Sequence, residues 1–95
     1  MQTPLQITIR NLPHSDALET RIRESAAKLE RLTPRITSFR VTVEESHRHQ
    51  SQGRQFEVRI DLRVPGGTEI FASHQDEDVY VAVRDAFDAA KRQLE

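Results

Sequence analysis

The chain has 95 residues, 36% of them hydrophobic, and its 14 basic and 15 acidic residues give a net charge of −1. This length fits one domain over residues 1–95 with one modest core, which leaves little room for a deep catalytic cavity and favours a binding module over an enzyme. The near-neutral net charge argues against non-specific attraction of polyanions by the overall electrostatic field of the protein. The lack of cysteine excludes a disulfide scaffold. The lack of a leader or a long apolar run predicts a cytoplasmic protein with no membrane segment.

The first two elements are predicted from alternation and from helical spacing. Leu5, Ile7 and Ile9 alternate with polar residues, which is the period of a half-buried strand. Ser15 can cap a helix whose apolar residues recur every three or four positions: Leu18, Ile22, Ala26, Leu29 and Leu32. Pro34 ends this helix, because the residue before a proline is pushed out of helical geometry.

Two strands are predicted in the middle of the chain. The apolar face of the second strand consists of Phe39, Val41 and Val43. The polar residues 45–54 that follow show no periodicity and are predicted to form a mobile loop. The third strand has the clearest alternation, and its apolar face consists of Phe56, Val58, Ile60, Leu62 and Val64.

A hairpin then leads into a fourth strand. Gly66 and Gly67 follow a proline and predict a tight reversal, since glycine accepts a positive φ. In the fourth strand Ile70 and Ala72 are predicted to face the core, whereas Phe71 faces the opposite side as a lone exposed aromatic residue.

The last element is predicted as a helix over residues 74–94. Its opening carries Asp76, Glu77 and Asp78, which suit the positive end of a helix dipole and predict capping. Its apolar stripe consists of Val79, Val83, Ala86, Ala90 and Leu94. Such a stripe must be packed against the rest of the chain.

The order β-α-β-β-β-α predicts an α+β fold, a two-layer sandwich in which a four-stranded, mostly antiparallel sheet carries both helices on one face. The outer face of the sheet stays in contact with water. Its alternating charges are predicted to form cross-strand ion pairs, and they are Glu57, Arg59, Asp61 and Arg63.

Basic residues follow one flank of each predicted helix. Twelve of the 14 basic residues are arginines, whose planar fork suits phosphate contacts. On the first helix Arg21 and Lys28 lie two turns apart on one side, and Arg31 lies further around the helix axis. On the last helix Arg84 and Lys91 lie two turns apart beside Tyr80. Arg92 lies on the opposite flank of that helix. Phosphates could bridge a groove between such flanks. The alternative, equally compatible with the spacing, is that Glu24 and Asp88 neutralise these residues as ordinary solvated faces.

The sequence gives little support for a catalytic site or a metal site. The chain has no nucleophile paired with a base and no glycine-rich phosphate loop, so we expect no catalytic residue and no cofactor. His47 and His49 in the loop, with His74, could supply three imidazoles to a metal ion. No cysteine or carboxylate at ligand spacing accompanies them, so solvated histidines or contacts with RNA phosphate are favoured over a metal site.

Short motifs along nearly the whole chain resemble the ribosome hibernation-promoting and ribosome-associated inhibitor family. They are S-D-A-L at residues 15–18, A-K-L-E at 27–30, R-I at 35–36, the glycine pair at 66–67, A-S at 72–73, D-V-Y-V-A-V at 78–83 and R-Q-L at 92–94. The resemblance implies the β-α-β-β-β-α fold, similar to a double-stranded-RNA-binding domain with an added first strand. It also implies a short form without the second domain of long members.

The function implied by the resemblance is that of a hibernation factor. Such a protein binds ribosomal RNA of the small ribosomal subunit, occludes the channel for messenger and transfer RNA under stress, and so inhibits translation without chemistry or a small-molecule substrate. The family's basic and aromatic positions fall on Lys28, Arg35, Tyr80 and Arg92. Typical short members carry a further lysine where this chain has Ala89.

The complete set of RNA-binding candidates therefore combines the flanks with the resemblance: Arg21, Lys28, Arg31, Arg35, Tyr80, Arg84, Lys91 and Arg92. Additional contacts are predicted from the loop residues His47, Arg48, His49 and Arg54. The alternative function is a protein-interaction or self-associating regulatory domain of the same fold that has lost ribosome binding. The near-neutral charge and Phe71 favour that alternative.

Overall fold

The computed structural model describes residues 5–46 and 55–95. The described elements, in chain order, are β1 (Leu5–Arg10), α1 (Asp16–Leu32), β2 (Ser38–Ser46), β3 (Gln55–Val64), β4 (Thr68–Asp76) and α2 (Val79–Leu94). This is the predicted order β-α-β-β-β-α, and the prediction of the fold is confirmed.

The four strands form one mixed sheet in the order β1-β2-β3-β4. β1 runs parallel to β2, with Ile7 opposite Val41, whereas β2 and β3 are antiparallel, with Val41 opposite Ile60. β3 and β4 are antiparallel too, and Ile60 lies opposite Ala72. In this register the apolar side chains of successive strands fall on the same face, and both helices cover that face.

The core lies between the sheet and the helices. Phe39 and Ile60 are completely buried in the sheet, and Ile22 is completely buried in α1. The ring of Phe39 packs against Phe87 of α2, with ring centroids 6.3 Å apart and an interplanar angle of 53°. This tilted arrangement is one that aromatic pairs prefer, so the pair joins the second layer firmly to the sheet.

Each helix begins at a capping residue, and the hairpin between β3 and β4 reverses direction at two glycines. The hydroxyl of Ser15 accepts the backbone N–H of Leu18 at 3.2 Å, which confirms the predicted cap. α1 ends at Leu32, before Pro34. Gly66 and Gly67 have φ of 95° and 84°, the positive values predicted for the reversal.

Among residues 5–46 and 55–95, no helix is long and apolar enough to cross a membrane.

The beginning of the last helix was placed wrongly. Residues 74–76 belong to β4, in which His74 lies opposite Val58 and Asp76 lies opposite Phe56, so the acidic run precedes α2 and does not form its first turn. Asp78 is the cap, and its carboxylate accepts the backbone N–H of Tyr80 at 2.9 Å. The strand continues because its backbone groups find partners on β3, which is a non-local contact.

Two smaller expectations also need correction. Glu45 and Ser46, assigned to the loop, are the last residues of β2, while residues 47–54 lie outside the described part of the chain. Leu32, assigned to the buried stripe of α1, is 55% exposed. It is the last residue of the helix.

Of the four charged residues predicted to form cross-strand ion pairs on the outer face of the sheet, Arg59 and Arg63 do so. Arg59 of β3 lies 3.2 Å from Glu44 of β2, and Arg63 lies 2.8 Å from Glu69 of β4. Glu57 accepts a hydrogen bond from the hydroxyl of Ser73 at 3.0 Å. Part of the charge on this face is therefore neutralised within the sheet.

Candidate nucleic-acid interface

A groove runs between the two helices on the side away from the sheet. β1 and β4 are both parallel to β2 and each is followed by a helix that returns across the sheet, so α1 and α2 run in the same direction. The groove has a volume of about 430 Å³. Its lining consists of Arg21, Glu24, Ser25, Lys28, Leu29, Leu32, Val83, Arg84, Phe87, Asp88 and Lys91.

The two walls of the groove repeat one arrangement of charges. The α1 wall carries a cation, a carboxylate and a cation at successive turns, and these are Arg21, Glu24 and Lys28. The α2 wall repeats this order with Arg84, Asp88 and Lys91. Residues three or four positions apart lie on one side of a helix, so each wall presents its charges as a row. The groove is therefore basic, with one acidic position in the middle of each wall.

The floor of the groove is apolar. It is formed by the edges of Leu29, Val83 and Phe87, which are almost completely buried in the core. Leu32 adds an exposed apolar surface near the carboxyl ends of the helices. The groove thus has a nearly closed apolar base and charged rims.

A contact between Arg21 and Tyr80 closes the groove at the amino ends of the helices. The guanidinium carbon of Arg21 lies 5.3 Å from the centroid of the Tyr80 ring, within the range of a cation–π interaction. Tyr80 is half-buried and packs against the core. Its ring therefore holds Arg21 in place at the entrance of the groove.

Several basic side chains near the groove have no acidic partner. Arg84 is bound to its neighbour Asp85, with Nε 3.1 Å from the carboxylate. Within residues 5–46 and 55–95, by contrast, no salt bridge involves Lys28 or Lys91, nor the carboxylates Glu24 and Asp88. The two carboxylates therefore form no direct ion pair with the cations of their own flanks among the described residues.

The predicted RNA-binding residues fall into three groups. The groove brings together Arg21, Lys28, Arg84 and Lys91, with Tyr80 at its end. Arg31, Arg35 and Arg92 are exposed but do not line it. The loop candidates lie outside the described residues, and they are His47, Arg48, His49 and Arg54.

The metal hypothesis involves three histidines, of which only His74 belongs to the described residues. His74 is exposed on β4, and its two proposed co-ligands lie outside the described part of the chain. His14, to which no role was assigned, lies 2.8 Å from Asp16 and 3.7 Å from Glu19 at the start of α1. Glu19 is also bound to Arg23 at 2.9 Å, so this cluster already contains its own counter-charges.

The main feature that sequence reasoning missed is the floor. Phe87 was absent from the predicted stripe, although it lies four residues after Val83 on the same side of α2. That spacing would have widened the stripe to include it. A wider stripe indicates that α2 packs against α1 as well as against the sheet, and this is what places the two basic flanks beside one groove.

Comparison with known proteins identifies the family by sequence. A family model described as Sigma 54 modulation protein / S30EA ribosomal protein matches residues 5–95. The chain is also 33% identical over 89 residues to a ribosome hibernation promotion factor from Deinococcus radiodurans, and the match covers 94% of this chain and 46% of that protein. The chain therefore spans about half the length of this relative.

Solved structures show the same fold. The crystal structure of the Thermus thermophilus Protein Y N-terminal domain matches with a TM-score of 0.72 and 26% identity, covering 99% of this chain and 96% of that chain. A ribosomal subunit interface protein from Coxiella burnetii matches with a TM-score of 0.76 and 19% identity, covering 95% of this chain and 91% of that chain, and this likeness concerns the fold alone. With the family model matching residues 5–95, the chain belongs to the Sigma 54 modulation protein / S30EA ribosomal protein family.

Proposed function

We propose that this chain is a ribosome-associated hibernation factor. It binds ribosomal RNA of the small ribosomal subunit in the cytoplasm, occludes the channel for messenger and transfer RNA under stress, and inhibits translation by occupying that space, without catalysis. Family membership and the name of the Deinococcus radiodurans relative support this proposal.

The observation that carries the proposal is the set of unpaired basic side chains on the helical side of the molecule. Lys28 and Lys91 line opposite walls of the groove, and neither has a salt-bridge partner among residues 5–46 and 55–95. The same holds for Arg31, Arg35 and Arg92 around it. A cation without an acidic partner can bind phosphate without first breaking an ion pair. The net charge of −1 is therefore a poor guide to this surface.

Phosphate contacts supply the affinity in this account. Each phosphate neutralised by a lysine or arginine releases condensed counterions, so binding weakens linearly with the logarithm of the salt concentration. Tyr80 has a positioning role, because its ring holds Arg21 at the end of the groove. Binding of this type depends on the shape of the RNA and on its backbone, which suits a protein that blocks a channel.

Sedimentation with separated ribosomal subunits tests the proposal. At low salt the protein should move with the small subunit and not with the large subunit, and increasing salt should release it. A protein that stays at the top of the gradient at low salt, or whose binding is insensitive to salt, would contradict the proposal.

A second candidate function is self-association through the outer face of the sheet. Phe71 favours it, since its side chain is 58% exposed in the middle of β4. Sedimentation equilibrium of the isolated protein distinguishes the two functions. A mass that increases with concentration, together with no affinity for the small subunit, would support the second candidate.

A further inference from the structure

The two edges of the sheet differ in how their backbone groups are covered. β4 forms one edge, and there the side-chain amide of Gln93 donates a hydrogen bond to the backbone carbonyl of Phe71 at 2.7 Å. β1 forms the other edge, and no side chain of residues 5–46 and 55–95 is hydrogen-bonded to its backbone. β1 also contains no lysine or proline, which often block pairing at an edge, and its one charged residue, Arg10, is at its end. β1 is therefore the edge to which another strand can be added.

The apolar face of β1 is less well covered than that of its neighbour. On β2, Val41 and Val43 are completely buried. Ile7 and Ile9 lie opposite them on β1 and are only half-buried. A cleft of about 420 Å³ lies beside them, lined by Ile7, Ile9, Leu12, His14, Glu19 and Arg23. A strand that extended the sheet at this edge would remove more of this apolar surface from water, which favours association.

The charges on the α1 side of the cleft are self-complementary. Glu19 and Arg23 line the cleft one helical turn apart, and their side chains pair with each other at 2.9 Å. A two-fold axis reverses the direction of one copy relative to the other. When the axis passes between these two residues, each Glu19 lies across from Arg23 of the other copy. A second copy of this chain therefore places opposite charges against each other at this edge.

An antiparallel pairing of β1 with itself has the same symmetry. When Thr8 lies on the axis, Ile7 is opposite Ile9 of the second copy, and Gln6 is opposite Arg10 of the second copy. Because side chains alternate along a strand, the isoleucines of both copies stay on the face that the helices cover. No like charges lie directly opposite each other in this register, so the outer face does not oppose the pairing.

We infer that two copies of this chain associate edge to edge through β1, so that their two sheets become one and Glu19 pairs with Arg23 across the axis. Association stops at two copies, because each copy uses its open edge and the edge left outside is the one that Gln93 covers. The inference goes beyond the proposed function and does not depend on it, since the cleft and the groove between α1 and α2 share no residue. The groove of each copy stays open in the pair.

Sedimentation equilibrium and hydrogen exchange of the full chain test the inference. The mass should increase with concentration from that of one chain toward that of two chains and no further. Backbone amides of residues 5–10 should exchange more slowly at high concentration than at low concentration, whereas those of residues 68–76 should not change. A mass of one chain at every concentration, a mass that exceeds two chains, or protection of β4 in place of β1 would each overturn the inference.

Two charge-reversed variants test whether the partner is a second copy in this arrangement. Glu19→Arg gives the cleft two cations, and Arg23→Glu gives it two carboxylates. Each variant alone should dimerise roughly tenfold more weakly than the parent protein, because like charges then face each other across the axis. An equimolar mixture of the two should recover the parental mass, which also shows that both variants are folded. A mixture that associates no better than its components would contradict the inference.

The ion pair of Arg63 with Glu69 supplies the matched control. These side chains lie 2.8 Å apart on the outer face between β3 and β4, away from β1. Arg63→Glu and Glu69→Arg each break an ion pair of the same kind, and both variants should dimerise like the parent. Phe71→Ser should do so as well, since Phe71 lies on the outer face of β4. Association that Phe71→Ser abolishes and Glu19→Arg leaves intact would place the contact on the outer face and overturn the inference.

Discussion

At the scale of single residues, the contact between Arg21 and Tyr80 links stability to binding. Because the guanidinium lies 5.3 Å from the ring centroid, Tyr80 stabilises both the junction of the helices and the direction of one groove cation. A cation–π contact of this kind is worth about 0.5–1 kcal/mol at an exposed site. The ring matters in this account, and the hydroxyl does not.

We therefore expect Tyr80→Leu to lower the free energy of unfolding by about 0.5–1 kcal/mol and to weaken binding to the small subunit. Tyr80→Phe keeps the ring and should preserve both properties. Urea denaturation and sedimentation measure the two effects. Loss of binding in Tyr80→Phe would show that the hydroxyl contacts the ligand, contrary to the positioning role.

Gly66 allows a test of the hairpin that does not involve the groove. Its φ of 95° is unfavourable for a side chain, although nothing lies within 4 Å of the place where a Cβ would be. Gly66→Ala should lower the free energy of unfolding by about 1–2 kcal/mol through backbone strain alone. Gly66→Asn should cost less, since asparagine tolerates this conformation. Equal losses in urea denaturation would contradict the backbone explanation, and sedimentation should show unchanged affinity for the small subunit.

At the scale of elements, the cap of α1 determines where that helix begins. The Ser15 hydroxyl satisfies the backbone N–H of Leu18, one of the donors that has no partner inside the helix. Ser15→Ala should lower the free energy of unfolding by about 1 kcal/mol, whereas Ser15→Asp keeps an acceptor and should be nearly neutral. Thermal unfolding followed by circular dichroism measures both, and an equally large loss in Ser15→Asp would show that the cap is not the cause.

Local patterns were sufficient to predict most of each element. Alternation identified the faces of β2 and β3, since Val41, Val43 and Val58 are completely buried as predicted. The beginning of α2 was not predictable in this way. The acidic residues 76–78 are as suitable for a first helical turn as for a strand end, and the backbone pairing of Asp76 with β3 decides between them. That pairing joins residues twenty apart, so no local pattern contains it.

At the scale of the whole molecule, the distribution of charge matters more than its sum. Part of the sheet's charge is held in ion pairs such as that of Arg59 with Glu44, while Lys28 and Lys91 remain without partners in the described part of the chain. A protein with a net charge of −1 can therefore present a basic groove on one side.

The candidate site was only partly predictable, because the sequence places charges on a helix flank and does not show which of them form ion pairs. Helical spacing placed Arg21 with Lys28 and Arg84 with Lys91, each pair on one flank of its helix. It could not show that Glu24 and Asp88 stay unpaired, because side-chain pairing depends on the rotamers that the packed helices allow. The same spacing placed Arg92 on the far flank of α2, and Arg92 does not line the groove.

The most direct test of the central claim compares two double variants that lose the same charge. Lys28→Gln/Lys91→Gln removes two groove cations that form no salt bridge among the described residues. Arg10→Gln/Arg40→Gln removes two exposed cations from the outer face of the sheet, which likewise form none there. Small-subunit affinity is measured as a function of salt concentration for both variants and for the parent protein.

The groove variant should bind roughly tenfold more weakly at low salt, and the slope of log affinity against log salt should decrease by about 2, one for each lost phosphate contact. The sheet variant should keep the slope and the affinity of the parent. Equal weakening of both variants would show that bulk charge governs binding, and parental affinity in the groove variant would place the ribosome contact elsewhere on the molecule.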